Sequence, residues 1–185
     1  LDTQQQILTA ASDLFVEGGI EALSVRAIAA KAGLSTIGIY RKFKGKQGIL
    51  DALCIEGFDR LGAAISRPDA DADPWTEMLK GAEEYLRVAE KYPAHYKLMF
   101  EGSTAGYEPS PAANAAAEEA FGHLIASVSR LPGLNIPAEE AAMDLWALVH
   151  GYVSLRERVG SPHFNRRWKA KIITAVERHM TAMTD

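Results

Sequence analysis

Six cations, Arg26, Lys31, Arg41, Lys42, Lys44 and Lys46, fall within residues 24–48, a stretch that contains no Asp or Glu. The 23 residues before it carry four acids and no Lys or Arg, and the 137 after it carry 14 bases against 20 acids, so a net charge of −4 hides a compact cationic block. Such a block can hold an anion, and a polyphosphate backbone is the obvious one. Charge alone does not separate that reading from a solvated basic face. Interleaved with the cations are Thr36, Ile37 and Gly38, residues small enough to approach base edges in the roughly 12 Å wide major groove.

Other constellations fail on spacing. Asp69, Asp71 and Asp73 alternate as calcium ligands do, but Pro74 stands where the sixth loop position needs glycine and Lys80 where the twelfth needs a carboxylate. Gly45-Lys46 lacks the preceding glycine and following hydroxyl of a phosphate loop, and no Gly-x-Ser-x-Gly occurs. The five histidines, His95, His123, His150, His163 and His179, are scattered. Glu119 and His123, four apart, read as an exposed helix pair before a metal site. The single cysteine, Cys54, excludes a disulfide framework and suits a reducing cytoplasm. No catalytic residue, metal or cofactor is expected.

The elements that position these residues read as helices almost throughout, because apolar residues recur at three and four. The pattern predicts an all-α chain of about nine helices: Thr3–Glu17 ended by Gly18-Gly19, a second from Ser24 to Gly33, then Thr36–Phe43, Lys46–Ser66, Trp75–Lys91, Pro93–Phe100, Ala112–Leu131, Pro137–Val159 and His163–Met183. Residues 67–74 read as a linker and 101–111 as a loop. Two short helices joined by Ala32-Gly33-Leu34-Ser35 fit a helix-turn-helix, with Gly33 permitting the turn and Leu34 filling the gap. Ile39 and Phe43 then face the core, while Thr36, Ile37, Tyr40 and Arg41 face away with the ends of Lys42 and Lys44.

The chain of 185 residues is long enough for one extended domain or a module fused to a larger one, at about 150 residues per domain. It has no apolar run near the roughly 20 residues that cross a bilayer. The opening Leu1-Asp2-Thr3-Gln4 carries no signal-peptide pattern, and without an initial methionine the natural chain can extend upstream. A cytoplasmic protein without membrane contact is expected.

Residues 24–50, from Ser24-Val25-Arg26 through Gly33-Leu34-Ser35-Thr36-Ile37-Gly38-Ile39-Tyr40 to Ile49-Leu50, strongly resemble the DNA-binding module of the TetR family of bacterial transcriptional regulators. The likeness covers about the first 50 residues, with the Tyr40, Phe43, Lys46 and Leu50 spacing its most specific part. The resemblance implies an all-helical homodimer, residues 1–47 binding DNA and 48–185 binding ligand and dimerising, usually a repressor released from a near-palindromic operator by a small molecule. It also implies that Thr36, Ile37 and Gly38 contact bases, that Tyr40 and Lys46 reach phosphates, and that Arg26 touches the backbone; Ser35, Arg41, Lys42 and Lys44 complete the candidate DNA-binding set. Ile37-Gly38 departs from a readout rich in hydrogen bonds, so Thr36, thymine-methyl contacts and DNA shape would carry specificity.

Farther on, Leu145-Trp146-Ala147-Leu148-Val149-His150-Gly151-Tyr152 looks like the Trp-x-x-x-His-Gly signature of one TetR C-terminal subgroup. The helix around it is apolar on nearly every side from Ala141 to Val153, as a helix buried in its own subunit and against a second one would be. His150 is either a ligand contact or a buried histidine satisfied by a carbonyl. Aromatic and Met residues of the middle helices supply a candidate pocket for an apolar or aromatic effector: Phe58, Tyr96, Met99, Phe100, Phe121 and Trp146, with His150. Ordinary core explains the same spacing. A ligand-responsive DNA-binding regulator is the leading function, and a helical small-molecule-binding or scaffold protein without operator binding is the alternative.

Overall fold

Helix boundaries in the computed structural model follow the capping chemistry of the sequence; it describes residues 2–65, 72–101, 106–159 and 166–184. Among these the chain is all-helical, with α1 Thr3–Gly18, α2 Val25–Ala32, α3 Thr36–Phe43, α4 Lys46–Ile65, α5 Pro74–Lys91, α6 Pro93–Glu101, α7 Pro111–Val128, α8 Ala138–Val159 and α9 Trp168–Thr184. Ser24 and Ser35 cap α2 and α3, their hydroxyls accepting from Ala27 N–H at 3.1 Å and Gly38 N–H at 3.2 Å. Gly33 ends α2 in the left-handed region at φ 68°, and the Leu34 and Gly33 N–H groups donate to Ala29 and Ala30, the paired bonds of a Schellman closure. Asp73 caps α5 through Thr76, with Pro74 at the first helical position, where its missing N–H costs nothing.

Packing divides the chain into two compact units that interleave along the sequence. The first comprises residues 1–59 and 92–117. There α1 packs on α2 and α6, and α2 on α3, around Ile7, Ile28, Ile39, Ile49, Leu53 and Leu98, all fully buried. The second comprises residues 60–91 and 118–185, where α5, α8 and α9 pack on one another around Leu86, Val149, Ile172 and Met180. No helix among the described residues is long and apolar enough to cross a membrane.

Three boundaries differ from the sequence pattern. A 3-10 turn, Ile20–Ala22, precedes Ser24. The helix expected to reach Leu131 stops at Val128 and closes in turns over 129–131. The last helix, expected from His163, begins at Trp168, because Arg167 sits at φ 53° and a helix cannot run through a left-handed residue. His163 itself lies outside the described residues, as do most of the expected linker, at 67–71, and positions 102–105 of the expected loop. In the single chain α8 buries Ala141, Ala142, Leu145, Val149 and Val153, while Met143, Leu155 and Val159 are about half exposed.

Candidate nucleic-acid interface

Four apart on α3, Ile39 and Phe43 are buried, and this fixes which side of the helix faces outward. That outward side carries Ile37, 71 % exposed, and Tyr40, 57 % exposed, two large apolar residues left in solvent on an eight-residue helix. Arg41, Lys42 and Lys44 are exposed with them, and Arg26 is exposed at the start of α2. Thr36 and Gly38 are half-buried at the N-terminal end of α3, beside the Ser35 hydroxyl that caps it. Lys31 is the one cation of the block whose described partner is acidic, at 2.6 Å from Glu17.

Lys46 opens α4, and its Nζ donates to the Ile20 carbonyl at 3.0 Å. The contact ties α4 to the turn between α1 and α2, and two further ammonium hydrogens remain for an anion. The crossing from α3 to α4 is made by backbone geometry. Lys44 closes α3 at φ 59°, Gly45 follows at φ 121°, and Gly48 lies so close that a Cβ there would overlap the Phe43 carbonyl. Behind the interface, α4 grips residues 107–110: the Tyr107 hydroxyl donates to Asp51 Oδ1 at 2.8 Å, Ser110 N–H to the same oxygen at 3.1 Å, and Gln47 to the Glu108 carbonyl at 2.7 Å. Burial, with the Asp51 and Cys54 contacts, pushes the Tyr107 hydroxyl far above its ordinary pKa. Burial likewise raises the Cys54 thiol.

The residues expected to meet an effector fall into two groups. In the first unit, Phe58 lies edge-on to Phe100 at 5.9 Å, and Tyr96 lies 4.8 Å from the same ring. Phe58 and Tyr96 are buried, whereas Met99 and Phe100 are half-buried. In the second unit, Phe121 stacks on Trp146 at 5.2 Å and 29°, and His150 Nε2 lies 3.3 Å from the Ser154 hydroxyl one turn on. Sequence reasoning missed His95, which is 5 % exposed, with Nε2 3.1 Å from Glu56 Oε2. It also missed a cavity of about 570 Å³ beside α8 and α9, lined by Tyr152, Arg166, Arg167, Lys171 and Arg178. No group of three His, Cys, Asp or Glu able to hold a metal occurs among the described residues, and His123 lies 4.0 Å from Glu119.

Residues 7–53 match the family model for bacterial regulatory proteins of the tetR family, and residues 78–183 match the tetracyclin repressor-like C-terminal domain. The uncharacterized HTH-type transcriptional regulator YvkB of Bacillus subtilis (strain 168) is 36 % identical over 69 residues, a match spanning 37 % of this chain and 36 % of that protein. The TetR family transcriptional regulator PfmR from Thermus thermophilus superposes with a TM-score of 0.74 at 23 % identity, over 95 % of this chain and 97 % of that one. The TetR-like transcriptional regulator LfrR from Mycobacterium smegmatis, solved in complex with proflavine, gives a TM-score of 0.67 at 21 % identity, over 97 % and 95 %.

Proposed function

The chain belongs to the TetR family of transcriptional regulators, and we propose that it is a homodimeric repressor whose operator binding is released by a small apolar or aromatic effector. The observation that carries the DNA-binding part is the exposed α3 face, with Ile37 and Tyr40 in solvent beside Arg41, Lys42 and Lys44. Exposed apolar area on so short a helix fits contact with thymine methyls and sugars, and the cations supply the sequence-independent attraction to phosphate. Thr36, Ile37 and Gly38 read base edges; Arg26, Tyr40 and Lys46 hold the backbone, with Ser35 fixing the start of α3. Residues 1–47 make the DNA-binding part, and 48–185 the ligand-binding and dimerising part.

The half-exposed Met143, Leu155 and Val159 on α8 support dimerisation through α8 and α9, since apolar side chains gathered on one helix favour a partner. Two-fold symmetry then sets the recognition helices about 34 Å apart on a near-palindromic site. The aromatic groups around Phe100 and Trp146 support an aromatic effector, as does the proflavine in the LfrR complex. A cytoplasmic location goes with work on the chromosome.

Selecting fragments of the source genome on the purified protein, then measuring their retention in a salt series, tests the reading. A near-palindromic fragment bound by a dimer and displaced by an aromatic ligand is the expected result. Retention of no fragment above scrambled DNA would leave the helical binding or scaffold reading in its place.

A further inference from the structure

His95 is the buried polar side chain among the aromatic residues of the first unit, and its two ring nitrogens differ in kind. Nε2 lies 3.1 Å from Glu56 Oε2, and an ionised carboxylate only accepts, so the imidazole hydrogen sits on Nε2. In the neutral ring Nδ1 is then a bare acceptor. It is buried and has no hydrogen-bond partner. The Tyr92 ring lies edge-on to the imidazole at 5.6 Å, and one turn along α6 Met99 and Phe100 are half-buried, so the surroundings are aromatic and apolar. Gly57 on α4 makes the arrangement possible, because a Cβ there would overlap the Met99 sulfur and stand 3.3 Å from His95 Cβ.

We propose that His95 anchors the effector through Nδ1 and that the effector is an uncharged aromatic molecule carrying a hydrogen-bond donor, a phenol or an aryl alcohol. The inference rests on the effector-binding reading above and adds the chemistry of the ligand. A buried acceptor without a partner favours a ligand that brings a donor over one of equal shape that does not. The Glu56 carboxylate behind the ring sets Nδ1 as the acceptor and repels an anionic ligand at the same place.

The test uses the full chain and three naphthalenes of matched ring: 1-naphthol, 1-methoxynaphthalene and 1-naphthoate. Equilibrium dialysis is expected to show 1-naphthol bound about tenfold more tightly than the methyl ether, with 1-naphthoate weakest. His95→Phe should bring naphthol and ether within twofold of each other, in a protein whose helical circular dichroism matches the parent. Glu56→Gln, which keeps the shape and an acceptor for Nε2 but removes the charge, should strengthen naphthoate. Equal binding of naphthol and ether to the parent, or a preference that survives His95→Phe, overturns the role of His95 and leaves an apolar effector site standing. Binding of none of the three overturns the aromatic-effector reading as well.

Discussion

Tyr107 and Asp51, 56 residues apart in sequence, meet at 2.8 Å, phenol hydroxyl on carboxylate, with Tyr107 fully buried. The same carboxylate oxygen takes the Ser110 N–H, so one α4 side chain fastens the backbone that leads into α7. Tyr107→Phe removes one of two bonds to Asp51 and is expected to cost about 1–2 kcal/mol. The urea midpoint should fall with the slope unchanged. Asp51→Ala should cost more, since it removes the acceptor of both the Tyr107 hydroxyl and the Ser110 N–H. Equal midpoints for parent and Tyr107→Phe would show that the hydrogen bond contributes nothing.

Gly38 on α3 and Gly48 on α4 should respond oppositely to alanine. At Gly48 the new methyl meets the Phe43 carbonyl, backbone that cannot swing aside, and a loss of about 2 kcal/mol or more is expected. At Gly38 it meets only the Ser35 hydroxyl at 3.6 Å, an ordinary contact, and the helix gains about 0.5–1 kcal/mol in propensity. If Gly38 lies against base edges, Gly38→Ala yields a more stable protein that binds its operator less well. Thermal melts and operator titrations on the same preparations separate the two effects.

A salt series distinguishes residues that position from residues that read. Lys46→Ala should weaken binding to operator and scrambled duplex alike and lower the log–log salt slope by about 1 for every phosphate that each subunit ceases to neutralise. It should also cost some stability, because the bond to the Ile20 carbonyl goes with it. Tyr40→Phe should weaken both duplexes without moving the slope, a neutral hydroxyl releasing no counterion. Thr36→Ala should leave the slope in place and relax preference at one base of each half-site, by about 1–3 kcal/mol. Equal losses on operator and scrambled DNA for Thr36→Ala would remove α3 from base reading.

Acid should loosen the start of α5. Hydrogen bonds from the Thr76 N–H, and then from its hydroxyl, hold the Asp73 carboxyl below its ordinary pKa. A carboxyl lower in the folded state than in the unfolded one, about 3.9, stabilises fully above the unfolded value and loses that contribution as pH falls through the folded one. Amide exchange at Thr76 should therefore show protection above about pH 4 that declines below it. Asp73→Asn, which caps without titrating, should remove that pH dependence. A parent protein with the same acid profile as Asp73→Asn would exclude the cap as its source.

Chain position alone exposes the caps, because Ser24, Ser35 and Gly33 act within a few residues of themselves and only certain side chains can do what they do. The α3 faces are equally legible, since Ile39 and Phe43 declare the inner side. The grip of Asp51 on Tyr107 and the pairing of Glu56 with His95 bridge 56 and 39 residues, and no local periodicity encodes a partner so distant. Lys46 is legible as a cation, but its Ile20 acceptor is a backbone carbonyl, a group every residue has. The start of α9 was hidden for a related reason: the apolar stripe runs on regardless of the sign of φ at Arg167.

The interleaving of the two units bears on how the protein is made. Translation supplies residues 1–59 first, then a stretch belonging to the other unit, and only later 92–117. At about 5–20 residues per second, roughly 3–12 s separate the emergence of Asp59 from that of Ala117. For most of that interval the nascent helix-turn-helix lacks α6, which ends at Glu101, and Asp51 lacks Tyr107. The DNA-binding end is therefore completed only after a stretch of the other unit, residues 60–91, has already emerged.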